Sequence, residues 1–544
     1  MKALIISILV LLLSLPVAGQ SGRSYDLVVY GGTAGGVMTA VAAAREGLRV
    51  AIVEPGTHLG GMVTGGLSRT DFGKREVLGG IAVEFYRRAG KKYGRDIEWM
   101  PEPRIAEQVL NEMIREARTV TIFTGHRLRE KNGVARQGTR IVSIMTDKGT
   151  TDKGTTDKGT TDKGARFSAK VFADASYEGD LMAQAGVDFT WGREGVSQYG
   201  ESLAGVRPKD RNHQFDFAVS GYEQEGGARK LLPEIQTEPR GEIGAADRKV
   251  QAYNYRMILS NNPGNRIPFA KPATYDPHRF ELAARWLQGF VGHHGRAPRM
   301  NEILLPAQIA GDRKWDFNNR GAFSTDYIGK SWDYPNATYA RRAEIWKDHK
   351  RYTEELFYFL TTDSRVPKET QAEITQFGLA KDEFVDNGHW PYQLYVREAR
   401  RLVGEYVVIQ KDIQTELTKS DVIGMGSYNS DSHNVQRYIE PGGTAQNEGN
   451  MEVSVTPYQI PYRMVLPKRT QSVNLLVPVC FSASHVTYST LRMEPQYMII
   501  GQAAGIAAKM AISKKIAVQE IDTRELTERL RTLGAVFTWN PPAK

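Results

Sequence analysis

Two glycine-rich turns and one acid are the residues whose types and spacing most clearly indicate chemistry. The segment Gly31-Gly32-Thr33-Ala34-Gly35-Gly36 can turn sharply and bring its backbone close to a pyrophosphate. Glu54 follows 18 residues after Gly36, where a carboxylate can accept both hydroxyl protons of an adenosine ribose. The usual G-x-G-x-x-G pattern has Thr33 in place of its middle glycine. We interpret this pattern as a site for an adenine dinucleotide.

The elements around these residues occur in the order that such a site requires. An apolar strand is predicted over residues 27–30, a helix of small residues over 36–45, and a second strand over 49–53. This is a βαβ unit, with the pyrophosphate at the N-terminus of its helix. The alternative is a glycine-rich turn of some other α/β protein. A second stretch dense in glycine, at residues 58–67, predicts backbone wrapped closely around a ligand.

The N-terminus predicts export. Lys2 precedes an apolar run at residues 3–15, and small residues follow, so residues 1–20 are predicted to be a secretory signal peptide. The run is too short to cross a bilayer comfortably, although an uncleaved anchor is the alternative. We therefore expect a secreted or periplasmic protein without a stable membrane span after cleavage.

Composition excludes several classes of function. Cys480 is the single cysteine among 544 residues, so no internal disulfide is expected. The net charge of +9 is spread along the chain without a basic arm, which argues against nucleic-acid binding and fits an anionic substrate. With one cysteine and no H-x-x-x-H pair, no metal site is predicted.

The rest of the chain predicts a second domain and a return to the first. Helices are expected within residues 76–116 and strands at 120–123, 139–145 and 167–174, with a low-complexity TDKG repeat at 146–164 as an expanded hairpin loop. Residues 191–459 are rich in loops, with helical patterns at 340–360 and 395–414. A strand at 474–481 and a small-residue helix at 495–512 follow, and the helix can pack very close to another backbone.

Longer motifs resemble one known group of proteins. They include HLGGMVTGGLSRTDFG, VFADASYEGDLMAQAGV and SASHVTYSTLRMEPQYMIIGQAAG, and the matching stretches cover nearly the whole mature chain. The chain resembles the secreted branch of the FAD-dependent oxidoreductases, which is related to fumarate reductase flavoproteins. The resemblance implies an α/β fold: a Rossmann-like FAD-binding domain of the glutathione-reductase type, with an inserted α+β cap or substrate domain. Residues 25–190 and 460–544 would form the first domain and residues 191–459 the cap.

The resemblance also implies FAD as the cofactor and assigns residues to it. The first glycine turn would contact the pyrophosphate and Glu54 the ribose, while the second turn would follow the ribityl chain. Residues 485–505 would reach the flavin ring, where a helix N-terminus stabilises the negative charge of reduced flavin. The implied cofactor residues are Gly31, Gly32, Thr33, Gly35, Gly36, Glu54, Gly60, Gly61, Asp174, Gly501 and Gly505.

Two histidines are candidates for the catalytic base. His485 lies between the last strand and the final helix, beside the expected flavin, and an imidazole titrates near neutral pH. It could equally serve only to hydrogen-bond flavin or backbone. His433 is the second candidate, with a structural loop histidine as the alternative. His58 lies where related flavoproteins can attach flavin covalently, but closing the glycine turn is the simpler role.

Three arginines are candidates for binding an anionic substrate. Arg463 and Arg492 flank the last predicted strand, and a guanidinium matches a carboxylate, although either could pair with a structural acid. Arg397, the third candidate, shares a predicted helix face with Arg400 and Arg401, for which ion pairing to Glu405 is the simpler account.

We therefore expect an exported FAD-dependent oxidoreductase. A small organic molecule, with a carbohydrate-derived alcohol or acid as the leading candidate, would pass hydride to flavin N5, and oxygen or a quinone would reoxidise the flavin. Two alternatives remain open: a polysaccharide-processing lyase or hydrolase with FAD in a structural role, and a non-catalytic flavin-binding protein.

Overall fold

The computed structural model describes residues 23–148, 164–223 and 230–541, and the following elements lie within these ranges. The strands are β1 (Arg23–Tyr30), β2 (Val50–Glu54), β3 (Val120–Thr124), β4 (His126–Leu128), β5 (Val134–Gln137), β6 (Arg140–Lys148), β7 (Arg166–Asp174), β8 (Phe189–Thr190), β9 (Met257–Ser260), β10 (Arg266–Ile267), β11 (Leu304–Gln308), β12 (Lys314–Asn319), β13 (Gly378–Ala380), β14 (Arg401–Leu402), β15 (Val422–Gly426), β16 (Ser430–Ser432), β17 (Gln436–Ile439), β18 (Ala445–Glu448), β19 (Met451–Val453), β20 (Tyr458–Pro461) and β21 (Leu475–Leu476). The α-helices are α1 (Ala34–Arg45), α2 (Met62–Gly65), α3 (Gly80–Lys92), α4 (Pro103–Ala117), α5 (Asp180–Gln184), α6 (Val196–Tyr199), α7 (Glu281–His294), α8 (Tyr339–Thr362), α9 (Lys368–Thr375), α10 (Gln410–Gln414), α11 (His485–Leu491), α12 (Glu494–Lys514) and α13 (Thr523–Thr532).

The main sheet is built around the predicted βαβ unit. Its strand order is β3-β2-β1-β7-β6-β4, and β1, β2, β3 and β7 run parallel. Strand β21 pairs in parallel with β7, so the C-terminal part of the chain joins the sheet that the N-terminal part begins. The centre of β1 is fully buried and continuously apolar, as is typical of a parallel strand covered on both faces. The α/β, Rossmann-like fold class is confirmed.

Helix α12 packs directly on α1. A Cβ atom at Gly501 would clash with the carbonyl oxygen of Gly35, and one at Gly505 with that of Thr39. The two helices therefore approach to backbone contact, as the small-residue pattern predicts. This contact fixes the N-terminus of α12 relative to the glycine turn before α1.

The middle of the chain forms a second, antiparallel sheet with helices beside it. Its order is β10-β13-β9-β12-β11, and it adjoins the long helix α8 and helix α7. Shorter strand pairs, including β15 with β20 and β16 with β19, connect this region to the last helices. These strands and the loops between them form the walls of the candidate site.

Most predicted elements are present, and two predictions are wrong. The segment 395–414 is extended up to β14, with only α10 helical at its end. Its arginine side chains are held by buried acids, and these tertiary contacts override the helical spacing. The strand expected over 474–481 is limited to β21, and the rest of that segment is irregular.

Two predictions concern residues outside the described ranges, one wholly and one in part. The signal peptide lies outside them, and so do residues 149–163 of the TDKG repeat. The flanking strands β6 and β7 are antiparallel, with Met145 opposite Arg166, so the predicted hairpin is confirmed. Within the described residues, no helix is both long and apolar enough to cross a membrane.

Candidate functional site

The first glycine turn follows β1 and leads into α1. Gly31 has φ +96°, which a residue with a Cβ adopts only at a cost. Thr33 is the N-cap of α1: its Oγ1 accepts a hydrogen bond from Gly36 N at 3.1 Å and donates one to Ala175 O at 2.8 Å. The threonine that replaces the middle glycine therefore fastens the turn to the loop after β7. The first N–H groups of α1 have no acceptor within the helix, which suits a pyrophosphate.

Glu54 ends β2 and faces this turn. Its Oε2 accepts from Gly32 N at 2.6 Å and its Oε1 from Gly56 N at 2.5 Å. Burial raises the pKa of Glu54 to about 7, against the lowering effect of the two N–H donors. The carboxylate thus lies where the ribose hydroxyls of an adenine dinucleotide are expected.

The second glycine turn joins the first turn to the start of α12. Gly60 N donates to Gly32 O at 2.6 Å, and Met62 N donates to the hydroxyl of Tyr177 at 2.9 Å. That hydroxyl in turn donates to Glu494 Oε1 at 2.7 Å, in the first turn of α12. The three segments implied to bind pyrophosphate, ribityl chain and flavin ring therefore meet around one tyrosine.

Buried polar atoms without partners lie at the start of α12, where the flavin ring is expected. Oε2 of Glu494 and both amide atoms of Gln496 have no hydrogen-bond partner within the described part of the chain, although both side chains are buried. Burial raises the pKa of Glu494 to about 8, so the group is readily protonated. Such atoms are costly unless a ligand satisfies them. The N–H and carbonyl groups at the pyrimidine edge of a flavin are suitable partners, so these residues fit FAD.

Three predicted cofactor residues have other contacts. Asp174 accepts three hydrogen bonds from its own chain: Oδ1 accepts from the N–H and hydroxyl of Ser176, and Oδ2 accepts from Met182 N at 2.7 Å. Burial raises its pKa to about 6. Gly501 and Gly505 face α1, as described above. These contacts show that Asp174 holds the loop after β7 and that the two glycines allow the helices to pack. Contact of these three residues with FAD stays a prediction.

His58 is engaged at both ring nitrogens. Nδ1 lies 2.9 Å from Glu107 Oε1 and Nε2 lies 3.0 Å from Asp386 Oδ2, and the ring stacks on Tyr392. Burial opposes the charged ring, but the two carboxylates outweigh it and raise the pKa of His58. These contacts favour the structural role over covalent attachment of flavin.

His485 lies in a closed network of buried charges. It begins α11, and its Nδ1 donates to Glu398 Oε2 at 2.8 Å, while its backbone N–H donates to Glu194. Arg401 bridges Glu398 and Glu194. Burial and the positive charges of Arg401 and Arg193 lower the pKa of His485 to about 3. The ring is therefore neutral and a weak base at neutral pH, and it does not line any of the cavities described below.

The other arginines of this segment are also paired. Arg401 contacts the acids just named rather than Glu405, so the predicted Arg401–Glu405 pair is wrong. Arg400 binds Asp180 at 2.6 Å. Arg397 is fully buried and lies 3.0 Å from Asp326.

A polar cavity of about 420 Å³, here called the polar cleft, opens between the second sheet and the strand pair β16–β19. Its charged and aromatic lining residues are Arg69, Asp71, Arg211, His213, Asp216, Arg256, Trp286, Phe290, Glu302, Arg320, Tyr428, Asp431, His433 and Glu452. Asp71 and Asp431 share this space: burial and the charge of Asp431 raise the pKa of Asp71, and nearby arginines oppose the rise. The cleft therefore combines acids, cations and a histidine around one volume.

His433 lies in the wall of this cleft and is oriented from behind. Its Nδ1 is 2.7 Å from Oδ2 of the buried Asp326, which also pairs with Arg397. Nδ1–H therefore donates a hydrogen bond to Asp326, which leaves Nε2 as the acceptor, 3.9 Å from Asp431 Oδ2. Burial and Arg397 lower the pKa of His433, with Asp326 opposing, so the ring is neutral at neutral pH. Enzymes use this arrangement, in which a carboxylate orients a histidine base beside a cleft.

The two candidate arginines near the C-terminus lie in different places. Arg492 is buried and donates to Tyr395 Oη and to Asp431 O, both at 2.8 Å, so it joins the cleft wall to the residues before α12. Arg463 is partly exposed, lies 3.6 Å from Asp421 and stacks over Tyr406. It is not among the residues that line the cleft, so the two arginines do not flank one site.

Three acidic side chains outside the polar cleft surround the ammonium group of a lysine. Carboxylate oxygens of Glu102, Asp382 and Glu383 lie within 4.8 Å of one another. Lys314 Nζ lies among them, 2.6 Å from Asp382 and 2.9 Å from Glu383. The ammonium group occupies the position that a cation would take, so this group is an internal ion pair.

Sequence reasoning missed Asp71, Asp326 and Asp431. Asp431 is two residues before His433, and a strand places side chains i and i+2 on one face, so this spacing was a usable signal. Asp71 lies in a glycine-rich motif and Asp326 in a loop. Neither position has a periodicity that would assign it to the cleft.

Comparisons with known proteins agree with the cofactor assignment. A family model described as FAD dependent oxidoreductase matches residues 26–530. No relative is found among curated proteins. Among solved structures, the chain is similar to THI4 from Thermovibrio ammonificans, at 20% identity, 31% coverage of this chain, 66% of that chain and a TM-score of 0.23.

Two further structures show comparable similarity. L-Proline dehydrogenase from P. horikoshii has 14% identity, with 32% of this chain and 59% of that chain covered and a TM-score of 0.23. A geranylgeranyl bacteriochlorophyll reductase-like protein from Thermoplasma acidophilum has 10% identity, coverage of 94% and 83%, and a TM-score of 0.33. The chain spans less than two thirds of the length of THI4 and of L-proline dehydrogenase. TM-scores of this size support no conclusion about function.

Proposed function

This chain belongs to the FAD-dependent oxidoreductase family, and we propose that it oxidises a hydroxyl group of a small anionic molecule bound in the polar cleft. A carbohydrate-derived hydroxy acid is the leading substrate class. The observation that carries the proposal is His433, which is hydrogen-bonded at 2.7 Å to the buried Asp326 and lines the cleft.

The roles of the residues follow from this geometry. FAD, when bound, supplies the acceptor for the hydride of the substrate C–H bond. His433 Nε2 takes the hydroxyl proton, and Asp326 stabilises the imidazolium ion that forms. Arg397 keeps Asp326 ionised, since its charge and His433 hold the pKa of that carboxyl at about 2 despite burial.

The position of the cleft supports this assignment. Arg69 and Asp71 line it and follow the second glycine turn by only a few residues. Asp431 also lines it, and its backbone carbonyl accepts a hydrogen bond from Arg492, which lies two residues before Glu494. The cleft thus adjoins both segments that are implied to hold the ribityl chain and the ring.

The charges in the cleft favour an anionic substrate. Arg69, Arg211 and Arg320 line the cleft, and none of their guanidinium groups forms an ion pair within the described part of the chain. The acids Asp216, Glu302 and Glu452 are already paired with His294, Arg296 and His213. These three cations remain for a substrate carboxylate. Asp71 also forms no ion pair within the described residues, but burial and the charge of Asp431 raise its pKa and so disfavour its ionised form.

We also propose that the protein is exported and that oxygen or a quinone reoxidises the flavin. The predicted signal peptide supports export, and the sequence of the mature N-terminus of the secreted protein would test it. The spread of basic residues along the chain supports a small-molecule partner rather than a nucleic acid.

Anaerobic bleaching of the bound flavin tests the proposed reaction. The wild-type holoenzyme is mixed with sugar acids and other hydroxy acids, and with the matched neutral sugars, without air. We expect an acid to bleach the flavin and His433→Gln to slow the bleaching by about 10²–10⁴-fold with FAD still bound. The wild-type rate should fall only below the ordinary pKa of histidine, because burial lowers the pKa of His433.

Other outcomes identify the alternatives. Cleavage of an acidic polysaccharide without any bleaching would indicate a lyase or hydrolase with FAD in a structural role. Binding without bleaching or cleavage would indicate a non-catalytic flavin-binding protein. An unchanged rate in His433→Gln would exclude this histidine as the base.

A further inference from the structure

A second cavity continues the polar cleft onto the surface. This smaller cavity, of about 290 Å³, is called here the arginine groove, and it shares Glu302, Leu305 and Arg320 with the cleft. Its other lining residues are Arg296, Arg299 and Asn301. The two cavities therefore adjoin, and a ligand longer than the cleft would leave it along this groove.

The groove is positively charged and its cations differ in how they are held. Arg296 makes two hydrogen bonds to Glu302, at 2.7 and 2.8 Å, and its guanidinium lies 5.2 Å from the ring of Phe290. Arg299 and Arg320 are exposed, and neither guanidinium forms an ion pair with any residue that the structure describes. These two arginines are therefore available to negative groups outside the cleft.

Two side chains that line the polar cleft have polar atoms that can form hydrogen bonds with hydroxyl groups. Trp286 and Asn319 line the cleft, and the buried atoms Nε1 of Trp286 and Oδ1 of Asn319 have no hydrogen-bond partner within the described residues. One is a donor and the other an acceptor, and a hydroxyl group can serve both. Leaving both unpaired is costly, so a ligand rich in hydroxyl groups is the natural partner. The rings of Trp286 and Phe290 provide an apolar wall beside them.

We propose that the polar cleft and the arginine groove together bind an acidic oligosaccharide, with one sugar unit in the cleft and the next carboxylated units at Arg320 and Arg299. The proposal rests on the proposed function for the identity of the oxidised unit, which is the one beside His433. Hydroxyl-pairing atoms inside and unpaired guanidinium groups outside favour a polymer that carries both hydroxyls and carboxylates. An oligonucleotide would use the groove but not the buried donor and acceptor of the cleft.

The dependence of affinity on chain length tests this proposal without relying on turnover. Dissociation constants are measured by calorimetry on the holoenzyme for α-1,4-linked galacturonate oligomers of one to four units, with neutral malto-oligosaccharides of the same lengths as controls. We expect the galacturonate tetramer to bind at least about tenfold tighter than the monomer, with a gain that falls as salt is added, because exposed charges are screened. The neutral series should show no comparable gain.

Variants assign the gain to the groove. Arg299→Gln should reduce the tetramer-to-monomer affinity ratio by about fivefold or more, and Arg299→Lys should restore part of it. Arg351→Gln removes an exposed arginine on α8, outside both cavities, and should leave the ratio unchanged. The flavin absorbance and melting temperature of each variant confirm that it is folded.

Three results would overturn the proposal: no gain with length, an equal gain for neutral oligomers, or tighter binding of a single-stranded oligonucleotide of similar charge. Flavin bleaching by monomeric acids together with no gain in length would refute the groove alone. A length-dependent gain without bleaching would refute the proposed oxidation and leave the groove in place.

Discussion

Two histidines in this molecule have similar hydrogen-bond partners but differ in their access to a cavity. His485 and His433 each bind a buried carboxylate through Nδ1, at 2.8 and 2.7 Å, and each carboxylate also pairs with a buried arginine. The site of His485 is closed, and Arg401 links its acid to Glu194. The site of His433 opens on one side to the polar cleft.

The difference shows how the surroundings of a buried histidine set its pKa and its access to a ligand. In the closed site the positive charges of Arg401 and Arg193 add to burial, and the pKa of His485 falls to about 3. Such a ring accepts a proton poorly at neutral pH, however well it is held. In the open site one ring nitrogen is oriented by Asp326 and the other is left to a ligand. Similar residue types therefore enclose one histidine completely and leave the other, the base of the proposed function, beside a cavity.

The largest expected effect on the rate of flavin reduction comes from Asp326→Asn, and His485→Gln provides the comparison at the enclosed histidine. Asp326→Asn should slow flavin reduction by up to about 10²–10⁴-fold, because the amide no longer fixes the tautomer or stabilises the imidazolium. His485→Gln should keep the wild-type rate and lower the free energy of unfolding by about 1–3 kcal/mol, since it weakens a buried charged network. Stopped-flow reduction and denaturant unfolding of both variants measure the contrast. If His485→Gln reduced flavin slowly but kept normal FAD content, His485 rather than His433 would be the catalytic base.

A smaller effect, on FAD affinity, is expected at Glu54, which is a partly buried acid beside the first glycine turn. Its pKa of about 7 in the protein without ligand means that the carboxyl holds a proton below that pH, and FAD binding must release it. We expect FAD affinity to weaken as the pH falls below about 7, and Glu54→Gln to weaken it by ~1–3 kcal/mol at higher pH and to remove the pH dependence. Titration of the apoprotein with FAD at several pH values measures this. Glu46→Gln, at the other end of α1, is the matched control, and an equal effect there would contradict the assignment.

A third histidine extends the comparison to stability. His349 is buried, and it donates from Nδ1 to Ile345 O at 2.7 Å while Ser331 donates to its Nε2. Burial lowers its pKa from an ordinary 6.5 to about 4, so the unfolded chain takes up a proton first as the pH falls. The stabilisation is therefore present above about pH 6.5 and is lost as the pH falls towards 4.

The matching measurement compares wild type with His349→Gln. The advantage of wild type in thermal unfolding should shrink by on the order of 1–2 kcal/mol between about pH 7 and about pH 4.5, a discounted conversion of the pKa change. An advantage that stays constant with pH would show that His349 does not titrate between these values in either state.

The dinucleotide-binding half could be predicted from the sequence because its interactions are local. The turn, the helix cap and the acid lie within 24 residues, and each position has its own chemical requirement. The polar cleft is different: His433, Asp326 and Arg397 come from three separate segments joined only by the folded chain. The spacing of Arg397, Arg400 and Arg401 even indicated a helix, because nothing in the sequence shows that buried acids hold this segment extended. His485 was favoured for its place beside the last helix, since its closed surroundings are visible only in three dimensions.

The smallest effect is expected outside both kinds of site, at the TDKG repeat. Residues 149–163 lie outside the described chain, so the prediction rests on the strands that flank them. Strands β6 and β7 pair up to Met145 and Arg166, and Thr146 N donates to Ala165 O at 2.9 Å. A short connection can therefore replace the repeat without changing the pairing, and loop length has little thermodynamic cost.

Deleting residues 151–164 should change the free energy of unfolding by less than about 0.5 kcal/mol and leave the FAD content and the reduction rate unchanged. Loss of folding or of flavin on this deletion would show that the repeat packs against the body of the protein.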